Sequence, residues 1–136
     1  MADDVAMRDV TGTVPLDDAA AVADAVEGIL ARAFGAARLD RKTLHAAFAF
    51  AERLYAGGEP GWIACDMPYH DLRHAHDAAL ATARLLDGCR IDGCDVALES
   101  DRAVVAVLLA LLHDTGFLRT SAEASRSGPE LARSPR

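Results

Sequence analysis

The chain has 136 residues, 51% of them apolar, which excludes a disordered polymer and gives a single domain enough material for a core. Its 14 basic and 21 acidic residues leave a net charge of −7, which disfavours a DNA or RNA backbone as partner. A small nucleotide stays open, because a bound cation can supply attraction locally.

Aromatics make up only 5% and alanine is abundant, a mixture suited to closely packed helices. Residues 1 to 14 show no periodicity and are expected to be loose. The acidic start Met1-Ala2-Asp3-Asp4 leads into no apolar stretch, so no signal peptide is expected. Pro15-Leu16-Asp17-Asp18 reads as a helix start with an Asp cap. Val22, Val26, Ile29, Leu30 and Ala33 follow at helical spacing as far as Gly35. Leu44, Ala47, Phe48, Ala51 and Tyr55 form a second stripe, ended by Gly57-Gly58. The stretch Glu59 to Pro68 holds Pro60, Gly61 and Pro68 and reads as a loop, packed onto the helices by Trp62 and Ile63.

A third helix is expected from about Tyr69 to Leu86, with Leu72, Ala75, Ala79, Ala83 and Leu86 on its apolar face. The turn-rich connection from Gly88 to Asp95 leads to a fourth helix. It should start near Glu99 to Asp101 and end around Asp114, with Gly116 as a stop just beyond. Its apolar run, Ala103 to Leu112, is far shorter than the roughly 20 residues of a membrane span. It reads as a helix buried on all sides, and no membrane partner is expected. From residue 121 to 136 the chain turns polar and reads as a flexible tail. The prediction is an all-α bundle of four to five helices over residues 15 to 120. Cys65, Cys89 and Cys94 are odd in number and form no CxxC pair, which fits reduced thiols in a cytoplasmic setting better than a disulfide scaffold.

Four of the five histidines lie in two segments, each beside carboxylates. Imidazole and carboxylate are the groups that grip a divalent metal at neutral pH. His70 and His74 are four apart and on a helix would project from one face. Such a pair can share a metal, or one can bind it while the other faces a substrate. Either residue alone also fits a solvated helix face. Asp77, three residues past His74, is placed to orient an imidazole from behind. His76 is rotated about 200° from His74 and should face elsewhere. His113-Asp114 closes the apolar run, where burial is expensive for polar groups unless a metal or an exposed helix end relieves it. His45 lies beside the second stripe and reads as structural. Asp17, Asp18, Asp24 and Glu27 read as helix-start acids. Arg73 is long enough to reach a phosphate, although an exposed arginine is the ordinary reading.

The segment Tyr69-His70-Asp71-Leu72-Arg73-His74-Ala75-His76-Asp77 resembles the Tyr-His-Asn-x-x-His-Ala-x-Asp signature of cyclic nucleotide phosphodiesterases. His113-Asp114, on the next predicted helix, resembles the paired ligands that name the HD-domain superfamily of metal-dependent phosphohydrolases. The resemblance covers roughly residues 44 to 120. It implies a helical bundle with a metal site at its centre. It implies His74, His113 and Asp114 as metal ligands, with Asp114 able to bridge two ions, and Asp77 as a support. His70 would protonate the leaving oxygen, so that His70 and Asp114 would carry the catalysis. The implied cofactor is a divalent ion, with manganese, iron, zinc, nickel and magnesium all compatible. The implied activity is hydrolysis of a phosphomonoester or phosphodiester, nucleotides included, by metal-activated hydroxide.

The chain departs from that pattern at several places. Asp71 stands where the signature has Asn, and Thr115-Gly116-Phe117 follows the His-Asp pair where the phosphodiesterases carry a further Asp-His. No glutamine is present to clamp a nucleotide base. The family's late aspartate has no counterpart, since only Glu123 and Glu130 follow Asp114. A bundle shortened at its C-terminal end is therefore expected. The alternative to an enzyme is a non-catalytic HD-fold module that binds metal or a partner, and apolar surface left by a shortened bundle would favour a homo-oligomer. A helical bundle without metal is the plainest option.

Overall fold

The computed structural model describes residues 7–93 and 99–126. Among these residues the chain forms five α-helices and two short 3-10 turns, with two isolated bridges and no sheet. The bundle is all-α, as the spacing of its apolar residues predicts.

Helix α1, Ala19–Phe34, starts at the Asp18 cap, whose carboxylate accepts the Ala21 N–H. Val22, Val26 and Leu30 on its inner stripe are fully buried. Gly35 ends it at a φ of +91°, a conformation that favours glycine. Helix α2, Arg41–Tyr55, is capped by Asp40 and buries Leu44, Phe48, Ala51, Leu54 and Tyr55. Gly57 follows at a φ of +73°, and the returning loop passes so close that a Cβ there would meet the Ile63 carbonyl carbon at 2.9 Å. That close approach seats Trp62 against the core.

Helix α3, Leu72–Ile91, starts later and ends later than the apolar spacing suggests. Asp71 sets the start, because its side chain caps the His74 N–H. His70 therefore lies in the lead-in to the helix and not on it. The helix runs through Gly88, and the Arg90 guanidinium sits over the Phe34 ring at 4.9 Å. Ala75, Ala79 and Ala83 form a fully buried small-residue face between α1 and helix α4, Ser100–Leu112. Helix α4 is not buried on all sides. Val105 is 54% exposed and Leu109 67%, because α2 and α3 cover only one flank.

Two segments expected to be loose have defined structure. In residues 7–14 the buried Asp9 carboxylate gathers the backbone of a turn, accepting from the N–H groups of Thr11, Thr13 and Val14 and from Arg84 on α3. Burial pushes the Asp9 carboxyl up, but the Thr11 hydroxyl, the Val14 amide and Arg84 together hold it well below the usual range. After Thr120, helix α5 runs Ser121–Arg126. Its start is a capping box: Glu123 accepts the Thr120 N–H at 3.0 Å, and Thr120 Oγ1 accepts the Glu123 N–H at 3.2 Å. Residues 1–6, 94–98 with Cys94, and 127–136 with Glu130 lie outside the described residues.

Candidate metal centre

The site forms where the lead-in to α3 meets the end of α4. Asp114 follows α4 and is buried, with 8% of its side chain exposed. Three imidazoles converge on its Oδ2. His70 Nδ1 lies at 2.7 Å, His113 Nε2 at 3.1 Å and His74 Nε2 at 3.3 Å. The two motifs, 39 residues apart in sequence, are thus within one coordination sphere of each other.

Each histidine reaches the carboxylate by a different route. His74 stands in the first turn of α3, and the Asp71 cap fixes that turn. His70 is aimed by its backbone. Tyr69 has a φ of +89°, the only non-glycine residue in that region among the described residues. For a bulky residue this is strained by about 1–3 kcal/mol, and it turns the chain so that the His70 ring folds inward. There it stacks on Phe117 at 4.4 Å between centroids. The Cys65 thiol donates to the His70 carbonyl at 3.4 Å. His113 is the residue after α4, and its Nδ1 contacts the Ala110 carbonyl at 2.6 Å.

That last contact settles a tautomer. A carbonyl can only accept, so His113 Nδ1 carries the hydrogen. In the neutral ring Nε2 then presents a lone pair to the Asp114 carboxylate at 3.1 Å. Two lone pairs at that distance repel, and either a proton on Nε2 or a cation between the two atoms relieves that repulsion. A donated Nδ1–H with a bare Nε2 is also the arrangement found in metal-ligating histidines.

The three spacings fall into two classes. Donor atoms about 2.0–2.1 Å from a tetrahedral ion lie about 3.3–3.4 Å from one another. His74 and His113 approach Asp114 Oδ2 near that value, whereas His70 at 2.7 Å sits at hydrogen-bond distance. The set whose donor atoms all lie within 4.8 Å of one another is nevertheless His70, His74 and Asp114. His113 is not in that group, although its Nε2 lies 3.1 Å from Asp114 Oδ2; 40% of its side chain is exposed. That group holds His70 in place of the His113 that the family resemblance implies.

The remaining candidates lie elsewhere. Asp77 is exposed and lines a groove of about 610 Å³ on the outer face of α3 with Val10 and Arg84. It forms no hydrogen bond or ion pair among the described residues, so it does not support a ligand as expected from its spacing. Arg73 turns back onto Asp71 at 3.0 Å, away from the histidines. His76 is fully buried and bonds the Leu16 carbonyl through Nδ1 at 2.8 Å. Desolvation lowers its pKa against the raising effect of that bond, so it is neutral and structural. Phe117 and Cys65, which contact His70, carried no functional signal in the sequence.

The chain matches no family model, no curated protein and no solved structure.

Proposed function

We propose that the chain is a divalent-metal-dependent phosphohydrolase acting on a small phosphomonoester or phosphodiester, with nucleotides among the candidate substrates. The observation that carries this reading is the convergence of His70, His74 and His113 on the buried Asp114 oxygen. His74 and Asp114 would hold the ion, and His113 would join them by a small rotation of its ring. A divalent ion held there supplies a Lewis acid for the phosphoryl group and lowers the pKa of a coordinated water. Asp114 also holds His70 by Nδ1, which leaves Nε2 as the ring atom able to give a proton to a leaving oxygen. The Phe117 face keeps that ring from turning away. The ion is not specified by this donor set, since imidazole with carboxylate accepts several first-row metals. A reducing compartment such as the cytoplasm suits the Cys65 thiol that donates to His70.

A second reading, a metal-binding module without turnover, has its own support. Among the described residues the one acid after Asp114 is Glu123, which takes part in the Thr120 capping box. The two readings separate by measuring bound metal in protein purified without chelator and turnover of bis-p-nitrophenyl phosphate with manganese, nickel or zinc. Metal with turnover supports the enzyme, and metal alone supports the module. A folded sample with neither would remove both.

A further inference from the structure

One aromatic ring stands on the solvent side of the metal centre, and neither the core nor the chemistry above uses it. Tyr69 is 82% exposed, so it adds almost nothing to the packing of the bundle. Its ring centroid lies 6.1 Å from that of His70 and 6.0 Å from that of His74, within the range of aromatic pairs. Those two imidazoles reach Asp114 Oδ2 at 2.7 Å and 3.3 Å. The ring therefore flanks the site itself.

The backbone at this position does not ask for a ring. A φ of +89° is open to glycine without strain and is costly for a bulky residue. Glycine would turn the chain into His70 at least as readily. What tyrosine adds is a planar, uncharged face held in water beside two imidazoles. Residues kept on strained backbone cluster at ligand clamps. A phosphate bound by His70 and His74 would carry its ester group within reach of that face. The group that gains most from an exposed aromatic face is another planar ring, stacked on it.

We propose that Tyr69 is a stacking platform for the substrate, and that the ester bound at this centre carries a planar aromatic group beside its phosphate. A nucleobase and a simple aryl ring share that chemistry. The inference deepens the phosphohydrolase reading and rests on it. It assigns Tyr69 to selection among phosphate esters, while His70, His74 and Asp114 serve the phosphate and the ion.

The test is binding, by titration calorimetry with Mn²⁺ present, of phosphonates that cannot be hydrolysed: phenylphosphonate, methylphosphonate and the phosphonate analogue of adenosine monophosphate. Wild type should bind the two ring-bearing ligands about fivefold or more tighter than methylphosphonate, the lower end of what stacking on an aromatic side chain contributes. Tyr69→Gly suits the backbone, so it should keep the melting temperature, lose that preference and bind methylphosphonate as before. Tyr69→Phe keeps the ring and should bind all three within about twofold of wild type. The tighter of the two ring-bearing ligands tells a nucleobase from a simple aryl group, and either order supports the platform. No preference for a ring in wild type, a preference that survives in Y69G, or a loss in Y69F equal to that in Y69G overturns it. Methylphosphonate bound without ring preference sinks the platform alone. Binding of no phosphonate at all removes the phosphohydrolase reading and the platform with it.

Discussion

Two histidine–carboxylate clusters in this molecule use the same residue types for different ends. Where α1 meets α2, His45 Nε2 lies 2.6 Å from Glu27 Oε2, Arg41 lies 2.6 Å from Glu27 Oε1, and Asp24 stands beside them. Glu27 is lowered chiefly by the His45 hydrogen bond and then by Arg41, against its own desolvation. A guanidinium already answers the charge of Glu27, so an incoming cation would have to displace it. At Asp114 the partners are three imidazoles and no arginine or lysine among the described residues. The acid is also more deeply buried, with 8% of its side chain exposed against 17% for Glu27. The comparison teaches that donor atoms within reach of one another do not make a metal site. A buried acid without a fixed cationic partner is the better candidate, since its charge still needs one.

The comparison breaks first at Asp114. Asp114→Ala removes the oxygen that all three histidines share, and affinity for Mn²⁺ or Zn²⁺ by calorimetry should fall by more than about 100-fold, beyond the effect of losing an outer partner. An unchanged affinity would show that the ion, if bound, sits elsewhere. His74→Ala should abolish the rise in melting temperature on adding metal. At a metal concentration of about 100 Kd that rise corresponds to about 2.7 kcal/mol, read by thermal denaturation with and without metal.

Asp9 sharpens the contrast, as a buried acid answered wholly by protein donors. Asp9→Asn should lower stability at pH 7 by about 1–3 kcal/mol without affecting metal binding. Because the folded-state pKa of Asp9 lies below its ordinary 3.8, its contribution is complete above that pH and is lost as pH falls further. Urea denaturation across pH 7 to 2 should therefore show a steeper acid loss in wild type than in D9N. The smallest effect belongs to the other cluster. His45→Ala should change stability by under about 1 kcal/mol and leave metal stoichiometry intact, since a half-exposed ion pair contributes little. A drop of one metal per chain in that variant would contradict the distinction drawn here.

Much of the fold was legible in the chain. Apolar spacing marked α1, α2 and the inner face of α3, and Asp18 announced a cap that forms as expected. Boundaries were less legible where a side chain competes with the helix for backbone groups. Asp71 claims the His74 N–H and so cuts His70 from α3. The same competition explains residues 7–14, where a single buried carboxylate orders a stretch with no periodicity. Glu123 read as tail because a six-residue helix carries too little pattern to register, yet Thr120 and Glu123 hold its start reciprocally. In the site, the pairing of His74 with Asp114 was visible as motif chemistry. His70 was visible there too, although its place in the lead-in and not on the helix was not, and the separation of Asp77 from the site was not.

Sequence by itself determined an all-helical chain with His70, His74, His113 and Asp114 as its chemically charged positions, because periodicity and side-chain chemistry are local properties. Only the tertiary structure decided which imidazoles share the Asp114 oxygen and that His45 is a clasp between α1 and α2. Those facts depend on contacts between residues up to dozens of positions apart, where an ångström or two separates a ligand from a bystander.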